Sequence, residues 1–156
     1  MPKFAFYAAP DERIAELAAQ NATPIVKTVE LIHKSLPCPQ CQTLAPKRYL
    51  AERRIFDYGD ELRYQPLQIH LRFSRHRCPQ CKKYFCPDTT YIAPPGAQYT
   101  DRVIHHAIRL VVEDNLPYRT ASWNLWRDHA VFVPFATIQN WVEAAGKKSR
   151  KPRQSI

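Results

Sequence analysis

The sequence predicts an α+β chain in two folded parts, and three observations carry that expectation. The tetrapeptide Cys-Pro-Gln-Cys occurs twice, at residues 38–41 and again at 78–81. Just before the second copy, Leu67, Ile69, Leu71 and Phe73 alternate with Gln68, His70, Arg72 and Ser74, the period of a strand with one buried face. Beyond residue 99 the apolar period changes to 3.6. Together these features predict a small antiparallel zinc ribbon followed by three short helices, which fit a trihelical helix-turn-helix unit although any small helical bundle would show similar stripes.

The cysteines come first because they constrain most. Two thiolates two residues apart on a tight turn can grip one metal ion, and a second such turn completes a tetrahedron. Zinc prefers four such ligands at about 2.3 Å, closed against water and hence structural. The proline in each turn pre-sets φ near about −65° and reduces the freedom lost on binding. The expected ligands are Cys38, Cys41, Cys78 and Cys81, holding one structural Zn²⁺. The 36 residues between the turns exceed the roughly 15–20 of compact four-cysteine sites, which suits strands lying between two knuckles. A disulfide pair, a redox dithiol or cysteines that merely pack are the competing readings. A redox Cys-x-x-Cys normally stands alone near a βαβ pattern, not as a matched pair. Residues 1–10 hold one lysine and an apolar stretch of only about seven residues, short for a signal sequence. No apolar run approaches the roughly 18 residues needed to span a bilayer. Cys86 reads as a small hydrophobe in Tyr84-Phe85-Cys86.

Residues 1–35 are expected to form an N-terminal helical extension. Within it, 10–20 reads as a short amphipathic helix with early acids, while 24–35 is helical or extended. The ribbon is expected over 36–87, with a strand from Lys47 to Phe56 and a turn at Asp57-Tyr58-Gly59-Asp60. Residues 88–98, with Pro94-Pro95-Gly96, read as a linker. The helix-turn-helix follows over 99–146. Its first helix runs from an N-capping Thr100 to about Asp114, with Val103, Ile104, Ala107, Ile108 and Val111 inward. The second spans about Pro117 to Trp126, with Tyr118, Ala121, Ser122 and Leu125 inward. After a connection over 127–133, the third runs from Pro134 to Ala145 with Phe135, Ile138, Trp141, Val142 and Ala145 buried. Gly146 is its expected stop. Residues 147–156 read as a basic disordered tail.

The net charge of +9 is unevenly placed. Residues 1–61 carry eight basic and eight acidic side chains. Residues 62–87 carry six basic ones and no acid, and 88–156 carry nine against six. A polyanion, nucleic acid before membrane, is the natural partner.

The run Leu71-Arg72-Phe73-Ser74-Arg75-His76-Arg77-Cys78-Pro79-Gln80-Cys81, followed by Tyr84-Phe85, resembles the basic strand that enters the second knuckle of insertion-sequence transposases. Three downstream stretches are similar too: Tyr99-Thr100, Leu116-Pro117-Tyr118-Arg119-Thr120-Ala121-Ser122 and Ala136-Thr137-Ile138-Gln139-Asn140-Trp141-Val142. The resemblance covers roughly 36–146 and implies a zinc ribbon ahead of a helix-turn-helix. In that family a ribonuclease-H-like domain follows, whose carboxylates hold two metal ions for strand transfer. This sequence ends about ten residues past its third expected helix, and its remaining acids cannot converge within about 4 Å on a rigid sheet. The expectation is therefore a DNA-reading front end of a transposable element, acting in recombination without a nuclease of its own. Catalysis by the chain itself is not expected.

In such a unit the third helix enters the major groove. With its apolar stripe inward, Thr137, Gln139 and Asn140 point outward, and an amide side chain can bridge adenine N6 and N7. Arg119 and Arg102 are candidates for phosphates, as are Lys147, Lys148 and Arg150 in the tail. Double-stranded DNA is the expected partner, with a separate catalytic transposase subunit or a second copy of the chain beside it, in the cytoplasm at the nucleoid and not at a membrane. Two other functions compete: a protein–protein adaptor for a separately encoded catalytic subunit, and an RNA-binding zinc-ribbon module. Exposed aromatics beside the arginines at Phe73, Tyr84 and Phe85 would favour single strands or RNA.

Overall fold

The computed structural model describes residues 24–60 and 65–154, with side chains as far as residue 147. The helix expected over 10–20 lies outside the described residues. The chain is mixed α+β, with a five-stranded sheet and three helices among the described residues. The strands are β1 (Ile25–Leu31), β2 (Ser35–Pro37), β3 (Leu44–Asp60), β4 (Gln65–Arg77) and β5 (Tyr84–Phe85). The helices are α1 (Asp101–Val112), α2 (Tyr118–His129) and α3 (Phe135–Gln154). Two compact units result: a sheet unit of 26–56 and 68–100, and a helical unit that includes 57–67 and everything from 101.

In the sheet unit the strand order is β1-β4-β3-β2, and β5 pairs with β4. β2 and β3 run antiparallel, with Leu36 opposite Ala45, and β5 is antiparallel to β4, with Arg77 opposite Tyr84. The inward half of the period-two pattern in β4 holds for Ile69, Leu71 and Phe73, which are buried with Ile55 and Ala93, while Leu67 is only half-buried. Val29, Leu31, Ala51 and Cys86 pack against that core. Residues 25–31 are therefore strand rather than helical extension, and the sheet begins before residue 36.

The opposite face of β4 departs from the expected solvent-facing row. Ser74 and His76 are fully buried. His76 Nδ1 lies 3.1 Å from the Ala45 carbonyl, its Nε2 is 2.7 Å from Ser74 Oγ, and the His33 amide donates to that same oxygen at 3.1 Å. One neutral tautomer satisfies all three bonds, with Nδ1–H donating to the carbonyl and Nε2 accepting from the serine.

The expected turn at 57–60 is also corrected, because β3 continues straight through it. Gly59 is there for clearance. A Cβ on it would overlap the Gln65 carbonyl oxygen and sit 2.7 Å from that of Ala130. Residues 88–98 are more than a linker: Thr89 and Ala93 are buried, and the Ile92 amide donates to Thr89 O at 3.0 Å. Arg53 donates to the Pro94 and Ala97 carbonyls at 2.9 and 2.7 Å.

In the helical unit each helix packs on the other two. Val103, Ala107, Leu110, Ala121, Leu125, Trp126, Val131, Val133 and Ile138 form its core. α2 runs one turn beyond its expected end at Trp126, which is itself fully buried, and stops at Ala130 in the left-handed conformation. Ser122 Oγ, also buried, donates to Val133 O at 2.5 Å and ties down the connection to α3. α3 passes through Gly146, the expected stop, and continues to Gln154. A mid-helix glycine costs only about 1 kcal/mol, and Lys-Lys-Ser-Arg-Lys after it favours the negative end of the helix dipole.

Candidate metal centre and its cationic surround

The two Cys-Pro-Gln-Cys turns fold alike. In the first, the Cys38 amide donates to Thr43 O and the Gln42 amide to Cys38 O, both at 2.9 Å. In the second, the Cys78 amide donates to Lys83 O at 3.0 Å and the Lys82 amide to Cys78 O at 2.9 Å. Gln42 and Lys82 both take left-handed backbone conformations, with φ of 65° and 63°. The antiparallel pairs β2–β3 and β4–β5 flank the respective turns.

The turns bring Cys38, Cys41, Cys78 and Cys81 together, with all four sulfurs within 4.8 Å of one another. They could bind one metal ion. A tetrahedral site with bonds of about 2.3 Å requires sulfurs about 3.8 Å apart, which this cluster matches to within small adjustments. Cys38 and Cys78 are buried while Cys41 and Cys81 are half-buried, and all five cysteines are free thiols. Cys86 is not in the cluster and packs on the sheet core.

Hydrogen bonds prepare the sulfurs for negative charge. The Cys81 amide donates to Cys78 Sγ at 3.3 Å, and Thr43 Oγ1 lies 3.3 Å from Cys41 Sγ. That hydroxyl accepts from the Cys41 thiol and donates its own proton to Gln80 Oε1 at 2.9 Å, so a side chain of one turn holds a side chain of the other. Contacts with Thr43, hydroxyl first and amide second, draw the Cys41 thiol down to about 6. The amides of Cys41 and Gln40 lower that of Cys38. Cys81 is pushed up to about 12, first by its bond with Cys41 and then by burial. Four thiols sharing one small volume cannot all ionise without a cation among them.

Around this centre the charge is lopsided. The sheet unit holds eleven Lys and Arg against Glu30, Glu52 and Asp88, while the helical unit, with 1–25, is nearly balanced at twelve against eleven. All but one of the net positive charges thus fall in the sheet unit. Its acids are engaged: Arg72 meets Glu30 at 3.2 Å and Glu52 at 3.5 Å, and Thr90 holds Asp88 with both hydroxyl and amide.

The residues expected to touch DNA are placed in four different ways. On α3, Ala136, Asn140, Glu143, Ala144 and Lys147 make one exposed stripe, with Asn140 near its middle. Thr137 and Gln139 flank it, half-buried, and Gln139 donates to Glu143 at 3.1 Å. Arg119 is exposed and lies over the Phe135 ring at 4.8 Å. Arg102 is committed elsewhere: it grips buried Asp57 through two bonds, 2.7 and 2.5 Å, and stacks over Tyr58. Lys148 and Arg150 are carried by the backbone of α3.

Sequence reasoning passed over two clusters. One is the cationic cleft of Lys47, Arg48, Arg77 and Lys82 beside Cys78. Its signal lay in the comparison of the two turns, since Gln42-Thr43 in the first is Lys82-Lys83 in the second. The other joins Tyr58, His106 and His129 in the helical unit. Tyr58 Oη is 2.9 Å from His106 Nδ1, and the two histidine rings meet edge-on at 4.6 Å. No sequence spacing relates residues so far apart.

No protein-family model matches this chain, no curated protein does, and no solved structure does. None of the helices is long and apolar enough to cross a membrane, among the described residues.

Proposed function

We propose that this protein binds double-stranded DNA with a sequence preference, the sheet unit being a zinc ribbon and the helical unit a helix-turn-helix. One observation carries the reading: eight of the nine net positive charges belong to the unit built around the four cysteines. Cations at that density neutralise backbone phosphates and release counterions, which supplies affinity without sequence information. Base reading falls to α3, whose exposed stripe is centred on Asn140 with Thr137 and Gln139 at its edges. The metal is zinc, one ion, because an all-thiolate tetrahedron selects zinc or iron–sulfur chemistry and this one is closed by two matched turns. A transposase-like origin rests on the order of parts in the sequence alone, and a nucleoid location follows from the DNA.

The test is fluorescence anisotropy of the zinc-loaded protein on duplexes from DNA flanking its own gene, against a scrambled duplex at about 150 mM salt. Non-specific Kd there is typically about 10⁻⁴–10⁻⁶ M. A preference of tenfold or more is expected, and Asn140→Ala should reduce it without changing affinity for the scrambled duplex. Weak, equal binding to both would sink the sequence-reading claim.

A second reading has its own observation. Tyr84 is 47% exposed with the Arg77 guanidinium 5.7 Å from its ring centre, and Tyr49 is 49% exposed. Exposed rings beside arginines stack unpaired bases. Tighter binding to single-stranded DNA or RNA of equal length would select this alternative.

A further inference from the structure

We infer that the cleft lined by Pro46, Lys47, Arg48, Arg77, Pro79 and Lys82, with Cys78 at its wall, is a phosphate-binding site that takes a backbone phosphodiester of the bound nucleic acid. The phosphodiester assignment rests on the proposed nucleic-acid function. The cleft has a volume of about 220 Å³, and four cationic side chains line it with no acid.

Three facts set it apart. Four arginines elsewhere have carboxylate partners, Arg72 with Glu30 and Glu52, Arg102 with Asp57, Arg109 with Glu113 and Arg127 with Asp128, although among the described residues Arg53, Arg54, Arg75 and Arg119 do not. Among the described residues, none of the four cleft cations has one. Next, the lysines are not needed by the turn that carries them. The first turn makes the same backbone bonds and the same left-handed residue with Gln42 and Thr43, so the second is basic for another reason. Finally, the larger cavity bounded by Arg53 and Arg75, about 330 Å³, includes Asp88, whose carboxylate opposes an anion. The cleft beside Cys78 has no such opposition.

A simpler account is that these cations offset the negative charge of a metal tetrathiolate. The experiment separates the two. Arg48→Gln with Lys82→Gln removes two cleft charges and puts at position 82 the side chain that the first turn already tolerates. Lys27→Gln with Arg54→Gln removes two exposed charges of the same unit outside the cleft. Binding to a duplex and to a single strand is measured from 50 to 200 mM salt, with zinc content checked for each protein. The cleft pair is expected to weaken binding about tenfold and to lessen the slope of log K against log salt by about 1–2, roughly 0.9 per lost phosphate contact. The control pair should change both by clearly less.

Equal effects of the two pairs would overturn the site and leave a diffuse basic surface, with nucleic-acid binding intact. Loss of zinc in the cleft pair, with the slope of the zinc-loaded fraction unchanged, would assign the cations to the thiolates and also overturn it. If the wild-type protein binds no nucleic acid even at 50 mM salt, the function proposed above falls. Titration with inorganic phosphate and a nucleoside monophosphate, followed by NMR, then decides the cleft. Shifts confined to its residues and absent from the cleft pair would keep a phosphate site for a free ligand, and no shifts would overturn it.

Discussion

Replacing Cys78 by serine tests the metal centre where it is most enclosed. Its sulfur is fully buried, lies 3.4 Å from that of Cys41, and accepts the Cys81 amide. Serine keeps the backbone bonds of the turn but offers a hydroxyl that does not ionise near neutral pH. Structural zinc contributes about 10–16 kcal/mol of apparent binding free energy in small domains. A quarter of that, about 2.5–4 kcal/mol, corresponds to a loss of about 10²–10³-fold in affinity. The sheet unit feels this directly, since its buried core has only Ile55, Ile69, Leu71 and Phe73 as large side chains. Competition with a chromophoric chelator at pH 7.5 measures the affinity, and thermal melting with and without excess chelator measures the coupling to folding. Cys86→Ser is the control, because that thiol lies outside the cluster. Zinc affinity of Cys78→Ser within about threefold of wild type, or loss of metal in Cys86→Ser, would refute the four-thiolate assignment.

Other consequences follow from the same geometry. Zinc affinity should fall as pH drops from 7.5 to 5.5, because each ligand must be deprotonated and protons compete for the sulfurs. A flat profile would count against thiolate ligation. Gly59→Ala should cost about 2–4 kcal/mol in denaturant unfolding, since the added methyl meets the backbone oxygens of Gln65 and Ala130. A change below about 0.5 kcal/mol would show that the chain relaxes there freely. Burial first, then His129 and Arg109, push the His106 pKa down, while Asp114 and Asp128 pull it weakly back. A base with a depressed folded pKa contributes stability that is complete above about pH 6.5 and lost as pH falls through the folded value. Helical ellipticity of wild type should therefore melt earlier at pH 5 than at pH 7.5, by a larger margin than in His106→Gln. The variant comparison is needed because the cysteines protonate over the same range, and parallel curves would dismiss the histidine.

What could be foreseen from the sequence was local. The two turns repeat the same four residues, so their shared shape and convergence are written in the spacing. Ile69, Leu71 and Phe73 declare their face by alternation, and Val103, Ala107, Ala121, Leu125 and Ile138 by helical period. The failures came where a distant neighbour decides the outcome. Asp57-Tyr58-Gly59-Asp60 has the composition of a turn, but Gly59 is small because the carbonyls of Gln65 and Ala130 pass close by. Ser74 and His76 sit at polar positions of an alternating strand, yet the Ala45 carbonyl and His33 amide complete a buried network around them. Gly146 looks like a helix stop and is carried through by its neighbours. Arg102, an apparently free cation near the start of a helix, is claimed by a carboxylate 45 residues earlier.

The same distinction explains why the basic cleft was invisible in a linear scan. Lys47 and Arg48 follow the first turn, whereas Arg77 and Lys82 bracket the second, about thirty residues away. What gathers them is the pairing of the turns that the cysteines and the Thr43–Gln80 bond impose. Four cations crowded without carboxylates repel one another, so this gathering is unfavourable unless something opposes it. Metal binding supplies the opposition from within, and a phosphate would supply it from outside. Each should therefore strengthen the other: zinc holds the cations where a phosphate can meet all four, and a bound phosphate lowers the cost of keeping the second turn closed. Reciprocal linkage makes this measurable. If the cleft is a phosphate site, saturating duplex should slow chelator extraction of zinc from the wild-type protein and do so less in Arg48→Gln/Lys82→Gln. Equal extraction rates with and without duplex, in a protein that still binds DNA, would place the phosphate contacts away from the metal centre.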